Sequence, residues 1–429
     1  MKQVVGHKLI RDTLVYTVTD GIGKAISFIL LPILSYYLSP EGLGLATNFT
    51  VFTSIVNLLA GQAILNALQY FYYEQTKEQN AILVSNLIWM TIIACLCLAI
   101  IALLWSNLIF NYLQLDLTFQ LLTFPFALAF VLTNINLQLL RLEDKPKSFA
   151  IYQIVQIALH CLLVVLFVII WKQDGEGKIY AEILTVIMMG AVNFYSIIKR
   201  KYLIFKYDKE SIKKLLKFGL PLMPHSISFW FKSGADKVFI TNFVGLASNG
   251  IYSMAMSISS LYTVVSNAFF NAYVPALQKK LSSLTPETEQ TEKMKIVKTT
   301  YLIIGLFFII SVLAIFGGWV ILKFIVDDKY ETAFAFLPGI ILSLYIYVVY
   351  TFAVQFVYKQ KKTLVLGIIT FSGSLIQMGL AYLFVKLLGT MGAVYSSIIG
   401  SLIISVAIFI YSHKVYPMPW LYFLNKKRI

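Results

Sequence analysis

The sequence predicts an all-α, multi-pass membrane protein of twelve transmembrane helices in two six-helix lobes. Hydrophobic residues make up 59% of the 429 residues and charged residues 13%, whereas soluble globular domains average roughly 45–50% and about 25%. The mean hydropathy of +0.78 is too high for a soluble core to conceal. A bilayer must therefore be the solvent for much of the protein surface.

Twelve apolar runs are long enough to cross the membrane, which takes ~20 mainly apolar residues for ~30 Å of hydrocarbon. They lie at about 13–38, 45–69, 83–108, 117–140, 149–171, 179–198, 215–243, 248–274, 299–322, 334–358, 363–385 and 390–412. These runs leave no room for a separate soluble domain. The first run is too long for the core of a cleaved signal peptide, and no small-residue cleavage pattern follows it.

The basic residues are distributed by side of the membrane. If the N-terminus is cytoplasmic, the inner segments carry 27 of the 35 Lys and Arg residues, the outer loops carry 5, and 3 fall inside apolar runs. Such asymmetry follows the positive-inside rule, so both termini are expected in the cytoplasm. The net charge of +15 is thus a topology signal, and no nucleic-acid partner is expected.

The most basic connection, residues 198–218, joins the sixth and seventh runs. It divides the chain into a predicted N-terminal lobe of residues 1–204 and a C-terminal lobe of residues 205–429. Its lysines beside Leu215, Leu216 and Phe218 fit a short helix on the inner leaflet. An ordinary solvated connector fits them equally well.

The two halves resemble each other. Residues 30–59 have a counterpart in residues 237–265, where each segment shows a helix end, a short loop closing on Gly44 or Gly250, and a second helix containing Ser and Thr. Weak internal symmetry of this kind is typical of transporters built from repeats. An even number of spans in each half gives both repeats the same orientation in the membrane.

Ionisable residues lie inside two runs at corresponding places in the repeats. Asp20 and Lys24 in the first run, and Lys232 and Asp236 in the seventh, are four residues apart and can pair on one helix face. Lys237 adjoins the second pair. Because an ionisable side chain facing lipid at mid-bilayer costs about 2.5–3.5 kcal/mol, a cationic aqueous cavity is expected. The competing interpretation is that each pair neutralises itself and fixes packing between the lobes.

Glycine and proline accompany these charges. Gly21 and Gly23 beside Lys24 would permit a close helix approach. Pro221 and Pro224 predict a helix break before Lys232. His225 at this break is interpreted either as a hydrogen-bonded core residue or as a proton-handling group. Asp20 and Asp236 are expected to support the lysine charges or to couple ion movement.

Amide side chains form a further candidate lining for the cavity. They either hydrogen-bond the hydroxyl groups of a polar substrate or bridge helices, and they are Asn57, Gln62, Asn66, Gln69, Asn267 and Asn271. The three cysteines lie in apolar runs without metal-ligand spacing. No metal site or cofactor is expected.

The segments YYLSPEGLGLATNFTVFTSIV and GADKVFITNFVGLASNGIYSMAMSISS resemble the polysaccharide-exporter branch of the multidrug/oligosaccharidyl-lipid/polysaccharide exporter superfamily. The chain is most similar to the Wzx-type flippases of bacterial O-antigen and capsule synthesis. The resemblance covers nearly the whole chain through span number, the two-lobed repeat and the patterns around Gly44 and Gly250. These are family-level patterns without a catalytic signature.

The resemblance implies two lobes around a central cavity that opens alternately to each side of the bacterial cytoplasmic membrane. The cargo would be an undecaprenyl-diphosphate-linked oligosaccharide for O-antigen, capsule or another surface polysaccharide. Basic residues on the first and seventh helices, here Lys24, Lys232 and Lys237, would bind the diphosphate and anionic sugars. A monomer among membrane lipids, working beside a polymerase and glycosyltransferases of the same pathway, is expected.

Other classes remain open. A multidrug or organic-cation antiporter shares the superfamily fold but would favour acidic cavity residues. A membrane-embedded enzyme such as a repeat-unit polymerase would need a sizeable outer loop with catalytic groups. The loops at about 109–116 and 323–333 hold few ionisable residues, so no enzymatic activity is expected. The lipid II flippase branch typically carries two further helices.

Overall fold

A computed structural model describes Val15, Thr19, Gly21, Gly23, Ile26 and residues 28–204 and 206–421. Within these residues the regular secondary structure is helical throughout, so the predicted all-α fold class is confirmed. Helix α1 covers Phe28–Tyr37 in the described region.

The helices of the first part of the chain are numbered here in sequence order. They are α2 (Pro40–Asn57), α3 (Ala63–Phe71), α4 (Lys77–Leu104), α5 (Ser106–Leu113), α6 (Leu117–Leu142), α7 (Pro146–Val164), α8 (Asp174–Lys199), α9 (Lys209–Gly219), α10 (Met223–Ser233) and α11 (Ala235–Phe243). π-Helical segments at Leu58–Gln62 and Val165–Ile170 continue α2 and α7. A 3-10 turn at Leu220–Leu222 joins α9 to α10.

Five longer helices complete the described chain. They are α12 (Leu246–Ser282), α13 (Glu289–Phe324), α14 (Leu337–Lys359), α15 (Thr363–Leu388) and α16 (Thr390–Val415). A 3-10 segment at Asp328–Ala335 precedes α14. Helix α16 packs against both α14 and α15.

Nine helical segments of the described residues are long and apolar enough to cross a membrane. Of the three other predicted spans, the first falls partly outside the described residues, and α1 is its last part. The seventh is divided among α9, α10 and α11, because the 3-10 turn at Pro221 and a break at Gly234 interrupt it. The eighth corresponds to α12, whose many Ser and Asn residues lower its hydropathy. A multi-pass membrane protein is confirmed, and the number twelve stays a prediction.

The chain forms two compact units, Met1–Ile251 and Tyr252–Ile429. In the first unit, α6 packs against α8 and α4, and α11 packs against α5 and α2. Buried aromatic side chains such as Phe49, Phe119 and Phe126 fill the centre of this packing. The lobe boundary predicted near residue 205 divides the chain by its internal repeat, not by compactness, and it stays a prediction.

Helix α2 begins where its sequence provides a cap. The Ser39 hydroxyl accepts a 2.9 Å hydrogen bond from the Gly42 N–H, and Pro40 occupies the first turn. Asp174, at the start of α8, accepts hydrogen bonds from the Ser39 N–H (2.8 Å) and hydroxyl (2.5 Å). The start of α2 is therefore fixed both locally and by a distant helix.

The chain bends between α2 and α3 at Gly61. Its φ of +155° lies in a region that favours glycine, and a Cβ there would lie 2.7 Å from the Thr91 hydroxyl. π-Helical turns are frequent at functional sites. The bend lies in the middle of the candidate span Pro40–Glu74.

The internal repeat has a constant offset of 206 residues. Tyr37 ends α1 as Phe243 ends α11, and Pro40 begins α2 as Leu246 begins α12. The predicted loops closing on Gly44 and Gly250 are wrong in one respect. Both glycines lie one turn inside the second helix, because α2 begins at Pro40, after the Ser39 cap, and α12 begins at Leu246.

Candidate functional site

The first predicted ionisable pair lies outside the described residues. These are Asp20 and Lys24, and the structure describes only their neighbours Gly21 and Gly23. A Cβ at Gly23 would lie 3.2 Å from Ile157 of α7, which supports the expected close approach. For Gly21, no atom of the described residues lies within 4 Å of a Cβ, so the same expectation there stays a prediction.

The second predicted pair is divided between two helices. Lys232 is half-buried in the last turn of α10, and Asp236 is buried in the first turn of α11, with Gly234 between them. The prediction that both lie on one continuous helix is therefore wrong. The cause is Gly234, which breaks the helix with a non-helical backbone (φ −121°, ψ −39°).

Lys237 and Asp236 stabilise this break. The Asp236 carboxylate accepts a 2.8 Å hydrogen bond from the Lys237 N–H, at a helix start where negative charge is favourable. The Lys237 ammonium donates a 2.6 Å hydrogen bond to the Ser233 carbonyl at the end of α10. Lys237 thus connects the two sides of the break, from α11 to the end of α10. Lys232, the lysine of the predicted pair with Asp236, lies on α10.

His225 lies in the first turn of α10 and is exposed. Its ring contacts Phe229 edge to face, with centroids 5.1 Å apart. It is not a buried core histidine, so of its two predicted roles the structural one loses support.

The predicted amides of the second span differ in environment. Asn57 is 6% exposed, and its Oδ1 has no hydrogen-bond partner among the described residues. Gln62, Asn66 and Gln69 are exposed and recur at the spacing that places them on one face of α3. The Gln69 carbonyl oxygen accepts a 3.2 Å hydrogen bond from Gln138 of α6. We call Gln62, Asn66 and Gln69 the amide row.

Helix α10 covers the bend between α2 and α3. It packs against α2 and the π-helical segment Leu58–Gln62, and the Trp230 indole N–H donates a 3.0 Å hydrogen bond to the Val51 carbonyl. The helix that carries His225 and Lys232 therefore contacts the helix segment from which the amide row begins. Asn267 and Asn271, one turn apart and exposed on α12, belong to the second unit.

A charged group on α8 escaped the sequence analysis. Lys178 and Glu182 are half-buried, interact electrostatically, and lie one turn apart. His160 of the adjacent α7 is also half-buried and close enough to Lys178 to feel its charge. Because α8 begins at Asp174, Glu182 lies about 12 Å along the helix at ~1.5 Å per residue. The same four-residue spacing as Asp20 and Lys24 was the available signal.

A buried polar network joins the two repeats at their predicted outer ends. Asn48 of α2 accepts hydrogen bonds at Oδ1 from Asn249 (2.8 Å) and Thr241 (3.1 Å). Its amide donates to the Leu113 carbonyl at 2.7 Å. The Asn48 and Asn249 side chains are fully buried, so this network specifies how α2, α11 and the start of α12 meet.

Comparison with known sequences places the chain among polysaccharide biosynthesis proteins. The model of a family described as polysaccharide biosynthesis protein matches residues 9–281. A protein of the Lsg locus of Haemophilus influenzae is 25% identical over 292 residues, 67% of this chain and 70% of the relative. An uncharacterized membrane protein of the same organism is 24% identical over 278 residues, 64% of this chain and 66% of the relative.

Two solved structures share the fold over almost the whole chain. An inward-facing multidrug resistance MATE family transporter of the MOP superfamily aligns over 95% of this chain and 96% of its own, with a TM-score of 0.70 and 18% identity. The lipid II flippase MurJ in an inward closed conformation aligns over 94% and 87%, with a TM-score of 0.71 and 16% identity. At such identities the likeness establishes the fold.

Proposed function

Because the chain belongs to the polysaccharide biosynthesis protein family, we propose that it is a lipid-linked oligosaccharide flippase. The resemblance to polysaccharide exporters seen in the sequence is confirmed by this membership. The proposed cargo is an undecaprenyl-diphosphate-linked repeat unit, moved across the bacterial cytoplasmic membrane by alternating access. The product would be O-antigen, capsule or another surface polysaccharide.

The observation that carries the proposal is the amide row. Its three exposed amides recur at four- and three-residue spacing inside the candidate span Pro40–Glu74, with Gln62 directly before α3 and Asn66 and Gln69 within it. Exposed polar groups in the hydrocarbon region are expected to face a water-filled cavity rather than lipid. Amides both donate and accept hydrogen bonds, which suits the hydroxyl groups of a sugar chain.

Basic residues supply the complementary charge for a diphosphate. Lys232 of α10 lies on the helix that covers the bend before the amide row. In the proposal Lys232 and Lys24 bind the anionic cargo, with Lys237, Asp20 and Asp236 as supporting charges and His225 as a proton-handling group. Asn57, with an unpartnered buried oxygen, and Asn267 and Asn271 would add hydrogen bonds to sugar hydroxyls.

Contacts at the predicted outer ends of α2, α8 and α12 support one step of the proposed alternating-access cycle. Asp174 on Ser39 and the network around Asn48 hold the starts of α2, α8 and α12 together. We infer that these contacts close the outer side and that they separate when the cargo is released there. The transmembrane potential, ~2.3 kcal/mol per charge per 100 mV, is the proposed energy source, without ATP.

Reconstitution tests the proposal. Purified protein in liposomes without ATP should move a fluorescent undecaprenyl-diphosphate-linked oligosaccharide to the inner leaflet, where an external glycosidase cannot reach it. A variant with Gln62, Asn66 and Gln69 changed to Ala should be inserted normally and move the cargo far more slowly. Equal rates for both proteins, or a strict requirement for ATP, would refute the proposal.

A multidrug or organic-cation antiporter is the second candidate. Glu182 favours it, because an intramembrane carboxylate suits a cationic substrate, and the MATE family transporter shares the fold. Lys178 one turn away opposes it. Cells expressing the protein should gain no resistance to the cations ethidium and tetraphenylphosphonium. Efflux of these cations, abolished by Glu182→Gln, would favour the antiporter.

A further inference from the structure

Helix α9 and the 3-10 turn after it border a cleft of about 510 Å³. The buried face of α9 carries Ser211, Leu215 and Gly219, which point toward α3 and α4. Gly219 allows this approach, because a Cβ there would lie 2.6 Å from Ile64 of α3. The cleft therefore lies beside the membrane-spanning helices, on the side predicted to be cytoplasmic.

One wall of the cleft is a row of positive charge. Lys209, Lys213 and Lys217 line it and are exposed. They repeat every fourth residue, so successive lysines are about 6 Å apart along the helix axis. We call these three residues the lysine row. Three ammonium groups at this spacing can reach the oxygens of one phosphate-bearing headgroup.

The rest of the lining is largely apolar. Ile212 and Leu216 lie half-buried beside the lysine row, and Leu220 and Pro221 close the far end. We call these four residues the apolar floor. Tyr207, which precedes α9 in the chain, also lines the cleft and is 72% exposed. Tyrosine is enriched where lipid headgroups meet hydrocarbon.

The acidic residues near the cleft leave its charge positive. Asp208 caps α9 and accepts hydrogen bonds from the Ser211 N–H (3.0 Å) and hydroxyl (2.5 Å). These bonds hold the pKa of Asp208 below its usual range, so Asp208 is ionised. Its negative charge lies at the N-terminus of α9, where it caps the helix. Glu210 is exposed and does not line the cleft.

We propose that this cleft binds one anionic phospholipid of the surrounding leaflet. Its headgroup phosphate lies on the lysine row, and its acyl chain begins along the apolar floor. A free phosphate would use the lysine row but not the floor, whereas a zwitterionic lipid would use the floor but add a cation beside the lysines. The site is independent of the transport activity proposed above.

The position of the cleft gives the bound lipid a structural effect. Leu220 and Pro221 belong to the 3-10 turn Leu220–Leu222 that joins α9 to α10. A lipid on the apolar floor would hold this turn in place, and with it the start of α10 that carries His225. Anionic phospholipid is therefore expected to stabilise the first unit against thermal unfolding.

The test uses the full-length protein in a mild detergent and native mass spectrometry. Dioleoyl phosphatidylglycerol should bind with about a hundredfold preference over dioleoyl phosphatidylcholine, because each lysine near an anionic headgroup contributes about fivefold. Lys209→Gln, Lys213→Gln and Lys217→Gln together should abolish the preference. The matched control changes Lys199, Lys206 and Lys214 to Gln, since these are exposed lysines outside the cleft.

The outcomes separate the alternatives. Equal loss in both triple variants would show attraction by net charge alone and would overturn the proposal. Displacement of the bound lipid by millimolar inorganic phosphate would assign the cleft to a soluble anion, which also overturns it. Preference kept in the control, lost in the cleft variant and insensitive to inorganic phosphate supports the site, provided both variants elute as folded protein on gel filtration.

Discussion

Gly44 and Gly250 make the same contact from opposite sides. A Cβ on Gly44 would overlap the carbonyl oxygen of Leu246, and a Cβ on Gly250 would overlap that of Pro40. The four residues pair with a single offset of 206, so the starts of α2 and α12 approach each other symmetrically. Only glycine permits two helix backbones to come this close.

Gly44→Ala is expected to separate these helix starts. Alanine favours a helix interior over glycine by about 1 kcal/mol, so any loss must come from the clash with Leu246. Overpacking of this kind typically destabilises by about 1–3 kcal/mol. The thermal unfolding midpoint in detergent should therefore fall, and cargo movement in liposomes should slow. Gly305→Ala in α13, where a Cβ meets no atom within 4 Å, is the control and should lower neither. A Gly44→Ala protein as stable and active as Gly305→Ala would disprove the tight contact.

Asn48→Leu should weaken the same region by a different route. The substitution removes the three buried hydrogen bonds that Asn48 makes with Asn249, Thr241 and the Leu113 carbonyl, while the 3.1 Å bond between Asn249 and Thr241 stays. An unsatisfied buried polar group costs about 1–3 kcal/mol, so the free energy of unfolding measured in denaturant should fall by at least that amount. Asn107→Leu, at an exposed position of α5, should shift it little, and an equal shift would remove the case for a specific network.

Lys24→Ala should sharply reduce surface glycan while protein level stays normal, if Lys24 binds anionic cargo. Lys24→Arg should keep part of the activity, because the charge survives although the compact ammonium does not. A bracing role for the pair predicts another pattern. The double change Asp20→Asn with Lys24→Gln would then restore both level and export, and full export by that uncharged protein would defeat the cavity interpretation.

Glu182→Gln should slow transport at least about tenfold if this intramembrane carboxylate is functional, as such residues usually are. The substitution preserves shape and removes the charge that Lys178 experiences. Transport driven by an imposed potential or pH gradient, measured in liposomes, is the readout. Glu176→Gln, in the exposed first turn of the same helix, should leave the rate unchanged. Equal rates in the two variants would assign Glu182 a packing role.

Topology can be measured with reporter fusions. Fusions at Asp208 and Lys427 should be active only with a cytoplasmic reporter, and those at Asp116 and Lys329 only with an external one. The reason is the distribution of Lys and Arg between the two sides. An external reporter active at Asp208 would contradict both the topology and the placement of the lysine row.

Hydropathy and charge predicted the helical membrane fold, because the spans are runs of apolar side chains and most Lys and Arg residues lie in the connections between them. The interruptions were harder to predict. Gly61 and Gly234 have non-helical backbones, and the Thr91 hydroxyl that a Cβ at Gly61 would meet at 2.7 Å lies in another helix, where no local pattern reveals it. Lys178 was assigned to an outer loop, since nothing local shows that α8 begins at Asp174. That start depends in part on Ser39, 135 residues earlier in the chain.

The bend at Gly61 separates the direction of α3 from that of α2. Gly61 has a non-helical backbone (φ +155°, ψ −9°), so α3 does not continue the axis of α2. The two parts of the span Pro40–Glu74 therefore present their surfaces in different directions: α2 presents the repeat contact at Gly44, and α3 presents Asn66 and Gln69. A residue other than glycine at position 61 would disfavour this backbone and would redirect the two amides without changing the composition of either surface.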